Sequence, residues 1–259
     1  LQIVGMASDA QNFHDSFSLS SLLYKNLSQK TGNLLYGQAA VKPLQWKQHL
    51  QKQETEAVFM KTYTIIRRPA ELHWQDVPAL QVDECLWLPP ADISMQAQVC
   101  YDDAALYVRL SVREQNIRAE HKTPGCMVCE DSCMEFFFCP AAGDDRYFNF
   151  EWNPNAQLYL GFGPNRCDSV RLLVQDEQAL FAPCPARTAD GWELTFRVPV
   201  SFVRRFVPDF ALTPGTALRA NCFKCGELTP QPHYYSWNPV TSETPDFHRP
   251  CDFGQMLLQ

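Results

Sequence analysis

The sequence has 259 residues, of which 46% are hydrophobic and 20% charged, and its formal net charge is −7. These values indicate a globular protein with a substantial core and disfavour a nucleic-acid-binding protein, because no basic run offsets the negative charge. No stretch of about 18 uninterrupted apolar residues occurs, so we expect no membrane span. The segment Leu1 to Met6 has no basic region, and we therefore expect no signal peptide.

Residues 1–60 differ from the rest of the chain, being rich in Gln, Ser, Lys and Leu. Apolar residues recur at a loose helical period in residues 18–27 and 45–60, which predicts two short helices. We interpret residues 1–60 as a partly helical N-terminal extension of unassigned function. Residues 61–259 are predicted to form the folded domain.

From Lys61 onward the pattern is one of short strands separated by turn signals. Residues 106–112 alternate apolar and polar side chains, and residues 192–200 do the same, which is typical of half-buried strands. Pro199 marks the end of the second strand, and residues 201–206 are predicted to form one helical turn. About nine short strands with almost no helix predict an all-β protein, an antiparallel β-sandwich of jelly-roll or immunoglobulin-like architecture.

The stretch from Asp131 to Asn153 predicts a hairpin of two aromatic-rich strands around a Gly-Asp-Asp turn. Neighbouring side chains on a strand alternate faces. The apolar face is predicted to meet the core, and Trp152 belongs to it. Glu135, Tyr147, Asn149 and Glu151 then converge on the opposite face. That face suits a polyhydroxylated ligand, and it also suits an ordinary solvated surface.

The chain contains 11 cysteines, several of them inside apolar strand patterns. This placement favours reduced thiols that pack as small core residues, and with it a cytoplasmic location. Cys126/Cys129 and Cys222/Cys225 have the spacing of zinc or disulfide pairs. Cys222 and Cys225 lie in a strand-like run, however, and should point to opposite faces, which argues against one four-thiolate zinc site.

Four motifs occur in a characteristic order over roughly three quarters of the chain. They are Tyr101-Asp102-Asp103-Ala104-Ala105-Leu106-Tyr107-Val108-Arg109, the hairpin from Asp131 to Glu151, Gly191-Trp192-Glu193 leading to Pro199, and His233-Tyr234-Tyr235-Ser236-Trp237-Asn238-Pro239 followed by Pro245-Asp246-Phe247-His248-Arg249-Pro250 and Phe253-Gly254. With these motifs the chain resembles the family 9-like carbohydrate-binding modules, which are β-sandwiches related to DOMON domains.

The resemblance implies carbohydrate binding without catalysis, in carbohydrate catabolism and alongside a glycoside hydrolase partner domain. Members of that family hold a terminal sugar between two tryptophans, helped by a Glu, an Arg and amides. The Glu falls on Glu135 and one tryptophan position falls near Phe247. The other falls near Cys129 or Glu130, where this sequence has no aromatic residue, and the Arg position falls near Asn149 or Glu151. A sugar-binding role outside the cell makes an extracellular location the alternative to the cytoplasm.

The resemblance also implies structural calcium. Calcium prefers oxygen ligands. The acidic loop residues that offer them are Asp102, Asp103, Asp144 and Asp145, each of which is also an ordinary turn residue.

The predicted ligand is a mono- or oligosaccharide, bound by aromatic rings that stack on the sugar and by planar polar side chains. The predicted ligand-binding residues are Glu135, Asn149, Glu151, Trp237, Phe247, His248 and Arg249. For Arg249 the alternative is a structural ion pair with Asp131 or Glu135.

Two other function classes remain open. Glu135 and Glu151 have the chemistry of a glycosidase pair, which needs a carboxyl separation of about 5–5.5 Å for retention or about 6.5–9.5 Å for inversion. A protein-interaction module that has lost sugar binding is the other class, with the N-terminal extension as its contact surface.

Overall fold

The computed structural model describes residues 3–7 and 60–259, and the two helices predicted within residues 18–27 and 45–60 lie outside this part, apart from Met60. Within the N-terminal 60 residues the structure adds one strand, Ile3–Ala7, that the sequence pattern does not predict. This strand and the segment from Met60 to the end belong to one compact unit.

The described residues form short strands with little helix, as the sequence predicts. The strands are β1 Ile3–Ala7, β2 Thr62–Arg67, β3 Ala79–Val82, β4 Glu84–Cys85, β5 Ser94–Tyr101, β6 Ala105–Arg113, β7 Cys133–Cys139, β8 Tyr147–Trp152, β9 Leu158–Gly163, β10 Val170–Val174, β11 Cys184–Arg187, β12 Gly191–Pro199, β13 Ala217–Cys225, β14 Tyr234–Ser236 and β15 Gly254–Leu258. The helices are α1 Glu177–Phe181 and α2 Val200–Val203, with 3-10 turns at Trp74–Asp76, Val128–Glu130 and Pro250–Asp252. None of these helices has the length and apolarity needed to cross a membrane.

The strands form two layers that share β2. The first layer runs β1-β10-β9-β8-β7-β13-β15, and the second runs β5-β6-β12-β11, with β3 on β5. Residues 62–65 of β2 pair with β15, and residues 66–67 pair with β5. Both of these pairings are parallel, whereas the other pairings of the described strands are antiparallel. The predicted antiparallel sandwich is confirmed, with β2 as the exception.

The main core lies between the two layers and follows the predicted alternation. Leu106, Val108, Leu110 and Trp192 are at most 1% exposed, and β12 pairs with β6 along its whole length. Trp152 is fully buried in the same core, as predicted. The turn after Pro199 is α2, which begins at Val200 and is shorter than the predicted segment.

A second apolar cluster covers the opposite face of β7, β8 and β13. Phe137, Tyr147 and Phe223 extend from the strands, and the loop residues Phe247 and Phe253 pack against them. Phe223 and Phe247 stack with their ring centroids 4.2 Å apart. The outer face of this sheet is therefore a packed layer whose loops close over the strands.

Asp131 holds one of these covering loops in place. Its carboxylate is fully buried and accepts hydrogen bonds from Arg118 at 3.0 Å and from the backbone N–H groups of Glu120 and His121. Asn153, at the far end of the hairpin, donates to the same carboxylate at 2.9 Å. A carboxylate that accepts several hydrogen bonds and one cation is a stable buried anchor, and it fixes the 3-10 turn Val128–Glu130 above the sheet.

Candidate functional site

Three polar side chains lie on the outer face of the hairpin, at its centre. Glu135 on β7 and Glu151 on β8 are direct cross-strand neighbours, and Asn149 is on the same face. Glu135, Asn149 and Glu151 are only 2%, 2% and 6% exposed. The expectation that they form an open sheet face is wrong, because loop residues cover this face. The strand alternation itself is as predicted.

Burial changes the acid–base behaviour of the two glutamates. Loss of solvent raises the pKa of Glu151 to about 7, against the opposing effects of the Asn149 hydrogen bond and the Arg166 charge. Loss of solvent, and then the neighbouring Glu151, raises the pKa of Glu135 well above its usual range. Simultaneous ionisation of Glu135 and Glu151 is therefore unfavourable, because the two carboxyl groups are buried side by side on adjacent strands.

Asn149 links this pair to the neighbouring strand. Its amide N–H donates to Oε1 of Glu151 at 2.7 Å, while its own Oδ1 is buried without a hydrogen-bond partner among the described residues. The side chain lies over Gly161 of β9, and a Cβ at that position would come within 2.4 Å of Oδ1. Glycine at position 161 thus makes room for the Asn149 amide.

Thiols surround Glu135 on its other side. The Sγ atom of Cys225 lies 3.1 Å from Oε1 of Glu135, and Cys133 stands directly opposite Cys225 across the β7–β13 pair. All 11 cysteines lie in the described residues and none is disulfide-bonded. Cys222 faces the main core and Cys225 the outer cluster, so the opposite facing predicted for this pair is confirmed. The two Cys-x-x-Cys pairs therefore do not assemble into one site.

Arg166, in the loop after β9, brings a positive charge to this region, and the sequence analysis did not predict it. It forms an ion pair with Asp246 at 3.1 Å, with both side chains about one third exposed. Its positive charge lowers the pKa of Glu151 and of Glu227, opposing the effect of burial on each. Its guanidinium is therefore close to both acids.

A second arginine covers the neighbouring strand. The guanidinium of Arg171 on β10 lies 4.2 Å from the ring centroid of Tyr159 on β9, and it donates to the backbone carbonyls of Gly125 and Cys126. Both side chains are half-buried. Arg171 thus ties the loop before β7 to the outer strands.

Aromatic rings line the other side of the cluster. Trp87, which follows β4, packs edge-on against Tyr234 with centroids 5.4 Å apart and lies 5.5 Å from Phe247. Trp87 and Tyr234 are partly exposed, whereas Phe247 is 7% exposed. Trp87 has φ of +56°, a left-handed conformation that is rare for a bulky residue. Its indole N–H donates to the carbonyl of Ser242 at 2.8 Å, which helps to hold this conformation.

Trp237 does not belong to these rings. It is 4% exposed and packs in the main core, so the structure does not bring this predicted ligand-binding residue to the outer face. Gly254 lies directly against it, and a Cβ there would come within 2.7 Å of the indole. The alternation of β14 and the residues after it places this ring inward.

His248 and Arg249 are neighbours in the last predicted loop, but their side chains have different partners. His248 joins the cluster: its Nδ1 lies 2.8 Å from the hydroxyl of Tyr147, and burial and the Arg166 charge lower its pKa. Arg249 instead donates to Asp252 at 2.7 Å and to Thr241. The alternative pairing of Arg249 with Asp131 or Glu135 is wrong, since its carboxylate partner is Asp252.

The four acidic loop residues considered for calcium each have a protein partner. Asp102 accepts from two backbone N–H groups and from Tyr107, and Asp103 pairs with Arg67 at 2.8 Å. Asp144 pairs with Arg146 at 2.6 Å, and Asp145 with Arg219 at 2.8 Å. Within the described residues these side chains do not converge, and they do not fit a calcium site.

No local signal in the sequence could have identified Arg166, Trp87 or Glu227. Each lies in a segment between strands, and each reaches the site only through the fold. Arg166 and Asp246 are 80 residues apart, and Trp87 and Ser242 are 155 apart. Their presence in loops flanked by strong strands is the one hint available, because loops on a rigid scaffold concentrate binding residues.

A β-sandwich that gathers rings, acids and an arginine at the edge of one sheet face defines a ligand-binding module. The chain belongs to carbohydrate-binding family 9, whose sequence profile matches residues 61–258. The predicted resemblance is confirmed, and so is the class of function that it implies, non-catalytic carbohydrate binding. No curated protein sequence matches the chain.

Solved structures with a similar fold include a candidate carbohydrate-binding protein from Bacteroides uniformis, with 24% identity and a TM-score of 0.65 over 77% of this chain and 100% of that chain. A family 9 module from Caldicellulosiruptor kristjanssonii in complex with cellotriose has 13% identity and a TM-score of 0.56, over 77% of this chain and 94% of that one. A family 9 module from the same organism in complex with glucose has 12% identity and a TM-score of 0.55, over 77% of this chain and 96% of that chain. At these identities the likeness shows the fold.

Proposed function

We propose that the chain binds a mono- or oligosaccharide at the outer-face cluster formed by Trp87, Tyr234, Arg166, Glu227 and Glu151. One observation carries the proposal. Partly exposed rings and a partly exposed arginine meet over a buried carboxylate, on the sheet face where the resemblance implies a sugar site. Family 9 modules with cellotriose and glucose support glucose-based sugars as the first ligands to test.

The role of each side chain in the proposed site follows from how exposed it is. Trp87 and Tyr234 offer rings on which the C–H face of a sugar stacks. Arg166 and Glu227 are half-buried, and their fixed N–H and carboxylate groups suit the hydroxyls of the ring. Asn149 and Glu151 lie deeper, beneath Arg166 and Glu227, and the Asn149 amide donates to Glu151.

This assignment changes the role of several predicted residues. Phe247 supports Trp87 from below, and His248 orients Tyr147, so both act through their neighbours. Glu135 lies under the site, against the thiols. Trp237 supports the core, and Arg249 ties together the loop from Thr241 to Asp252.

The strain at Trp87 supports a role in binding. A left-handed φ at a non-glycine residue costs about 1–2 kcal/mol, and such strain is concentrated at functional sites. The fold maintains it with the indole hydrogen bond to Ser242 and with the rings of Tyr234 and Phe247.

We further propose that the chain does not hydrolyse its ligand and that it works beside a glycoside hydrolase, in the cytoplasm. Glu135 and Glu151 are adjacent, as a retaining pair requires, but both are almost completely buried. A glycosidic bond cannot lie between two carboxyl groups that a packed layer covers. The free thiols support the cytoplasmic location.

Titration calorimetry with glucose, cellobiose and cellotriose on the purified full chain tests the proposal. Arg166→Ala should weaken sugar binding about 10- to 100-fold, the usual effect of losing a hydrogen bond to a charged group. Arg219→Ala is the matched control, because Arg219 is also an arginine that is about one third exposed and paired with an aspartate, at the turn between β7 and β8. It should bind as the wild type does.

Equal loss of affinity in both arginine variants, or in neither, contradicts the assignment of Arg166. Absence of saturable heat for every sugar with folded wild-type protein contradicts the proposed function itself. In that case the exposed rings favour the alternative of a protein-interaction module. Release of free sugar from cellotriose during the titration would contradict the non-catalytic proposal.

A further inference from the structure

Three potential metal ligands meet beneath the proposed sugar site. The ligand atoms of Cys133, Glu135 and Cys225 all lie within 4.8 Å of one another. Each side chain is at most 2% exposed. No other group of three such residues is found in the part of the chain that the structure describes.

Strand geometry accounts for this convergence. Cys133 and Glu135 are two residues apart on β7 and therefore share a face. Cys225 is paired with Cys133 in the register of β7 and β13. The three donors thus come from paired strands of a rigid sheet and keep their spacing without any loop movement.

A candidate fourth donor, Cys129, lies nearby but outside this group of three. The 3-10 turn Val128–Glu130 carries Cys129, whose carbonyl oxygen is 3.8 Å from Sγ of Cys225 and whose side chain packs against the same cluster. The Cys129 thiol also acts electrostatically on Cys225 and Glu135, so it is close to both. Asp131, the residue after this turn, is anchored through its buried carboxylate to residues 118–121.

The donor set matches one metal better than others. Thiolates select soft or borderline cations, and the two thiols and one carboxylate that converge here suit zinc, with Zn–S of about 2.3 Å and Zn–O of about 2.0–2.2 Å; Cys129 would complete a tetrahedral Cys3Glu set. Donors on such bonds stand roughly 3.5–4 Å apart, close to the spacing observed here. Calcium and magnesium prefer oxygen donors and do not suit this set.

We propose that Cys133, Cys225, Glu135 and Cys129 bind a zinc ion, which stabilises the strands beneath the proposed sugar site. The thiols and the Glu135 carboxyl group would lose their protons to solvent on binding, and the cation would balance part of the negative charge that results. Bound zinc would also join the turn Val128–Glu130 to β7 and β13.

A disulfide between Cys133 and Cys225 is the competing chemistry, because the two residues face each other across the strands. The structure favours metal over this bond through the carboxylate: Glu135 lies 3.1 Å from Cys225 and contributes nothing to a disulfide. The number of free thiols in the purified protein decides between them.

The test is zinc binding by the reduced full chain, measured by competition with a chromogenic chelator and by metal analysis after dialysis. We expect one zinc ion per chain with submicromolar affinity and a higher melting temperature when zinc is present. Cobalt substitution should produce the charge-transfer absorption of thiolate ligands. None of these measurements requires a sugar.

Cys225→Ala and Cys222→Ala form a matched pair, since both thiols are buried on β13 but only Cys225 faces the cluster. Cys225→Ala should weaken zinc binding by at least about 100-fold, the upper end of the effect of losing an outer-shell partner. Cys222→Ala should bind zinc as the wild type does. If either alanine variant is unfolded by circular dichroism, Glu135→Gln replaces Cys225→Ala and should also lose affinity.

Three results would overturn the proposal: wild-type chain without bound zinc, equal affinity in the Cys225 and Cys222 variants, or a wild-type Cys133–Cys225 disulfide shown by mass spectrometry after alkylation. If the wild-type chain binds zinc but no sugar, the zinc site is supported and the proposed sugar site is refuted. If it binds a sugar but no zinc, the proposed sugar site is supported and the zinc site is refuted.

Discussion

A buried ion network at one end of the sheet provides the sharpest stability prediction. Lys224 on β13 is fully buried, and its ammonium lies 3.4 Å from the carboxylate of Glu114. It also donates to the carbonyl of Cys225 and to Nε2 of His233, both at 2.8 Å. Glu114 is 3% exposed and accepts from Ser132 at 2.8 Å. Every donor and acceptor of this pair is therefore used inside the protein.

The change Lys224→Met keeps the length of the side chain and removes its charge. Glu114 would then be a buried carboxylate without its cation, which costs about 3–5 kcal/mol. A domain of this size is stable by about 5–15 kcal/mol, so the loss is a large share of the total. It corresponds to a fall in melting temperature of roughly 6–20 °C.

Urea unfolding followed by tryptophan fluorescence measures this loss, and a double-mutant cycle isolates the ion pair. Glu114→Gln removes the negative charge, so the double variant with Lys224→Met should be less destabilised than the sum of the two single variants by about 2 kcal/mol or more. Arg113→Met is the control, because Arg113 pairs with the exposed Asp92 and should cost less than about 1 kcal/mol. A cost below about 1 kcal/mol for Lys224→Met, or additive effects in the cycle, would refute a buried charged pair.

Two further predictions concern pH and the sugar site. Burial and the Lys224 charge lower the pKa of His233 to about 4. As the pH falls, the unfolded chain takes up this proton first, because the pKa of its histidine is about 6.5. The stabilisation of the fold by neutral His233 is therefore complete above pH 6.5 and falls by about 3 kcal/mol towards pH 4. The unfolding free energy of His233→Gln should therefore fall less between pH 7 and 4.5 than that of the wild type, and parallel curves would contradict this. Gly161→Ala places a Cβ 2.4 Å from Oδ1 of Asn149 and should turn that amide away from Glu151, which we expect to weaken sugar binding several-fold at a stability cost of about 1 kcal/mol. In an Asn149→Ala background the same change should have no effect on calorimetric affinity, and an equal effect there would show that the clash is elsewhere.

The sequence predicts the strands well because their signal is local. Side chains alternate every two residues along a strand, so residues 106–112 and 192–200 reveal their inner faces without any knowledge of their partners. The same period places Glu135, Asn149 and Glu151 together on one face and Trp152 on the other, as the structure has them. The opposite facing of Cys222 and Cys225 follows from the same rule.

The environment of these residues is not local, and the sequence pattern misjudges it. An outer strand face looks open unless loops that are distant in the chain return to cover it, and here Phe247 and Phe253 do so. Burial on this covered face raises the pKa of Glu135 and of Glu151. Trp237 shows the converse error, since a residue near a strand end is rim or core according to what packs around it.

By itself the sequence determined a β-sandwich, the two faces of its hairpin and membership of a carbohydrate-binding family, because alternation and motif order are carried by neighbouring residues. Only the tertiary structure decided which side chains form the site. Arg166 reaches Asp246, Trp87 reaches Ser242, and Cys225 meets Cys133, each across at least 80 positions of the chain. Such contacts depend on strand order and loop closure, and no local pattern encodes them.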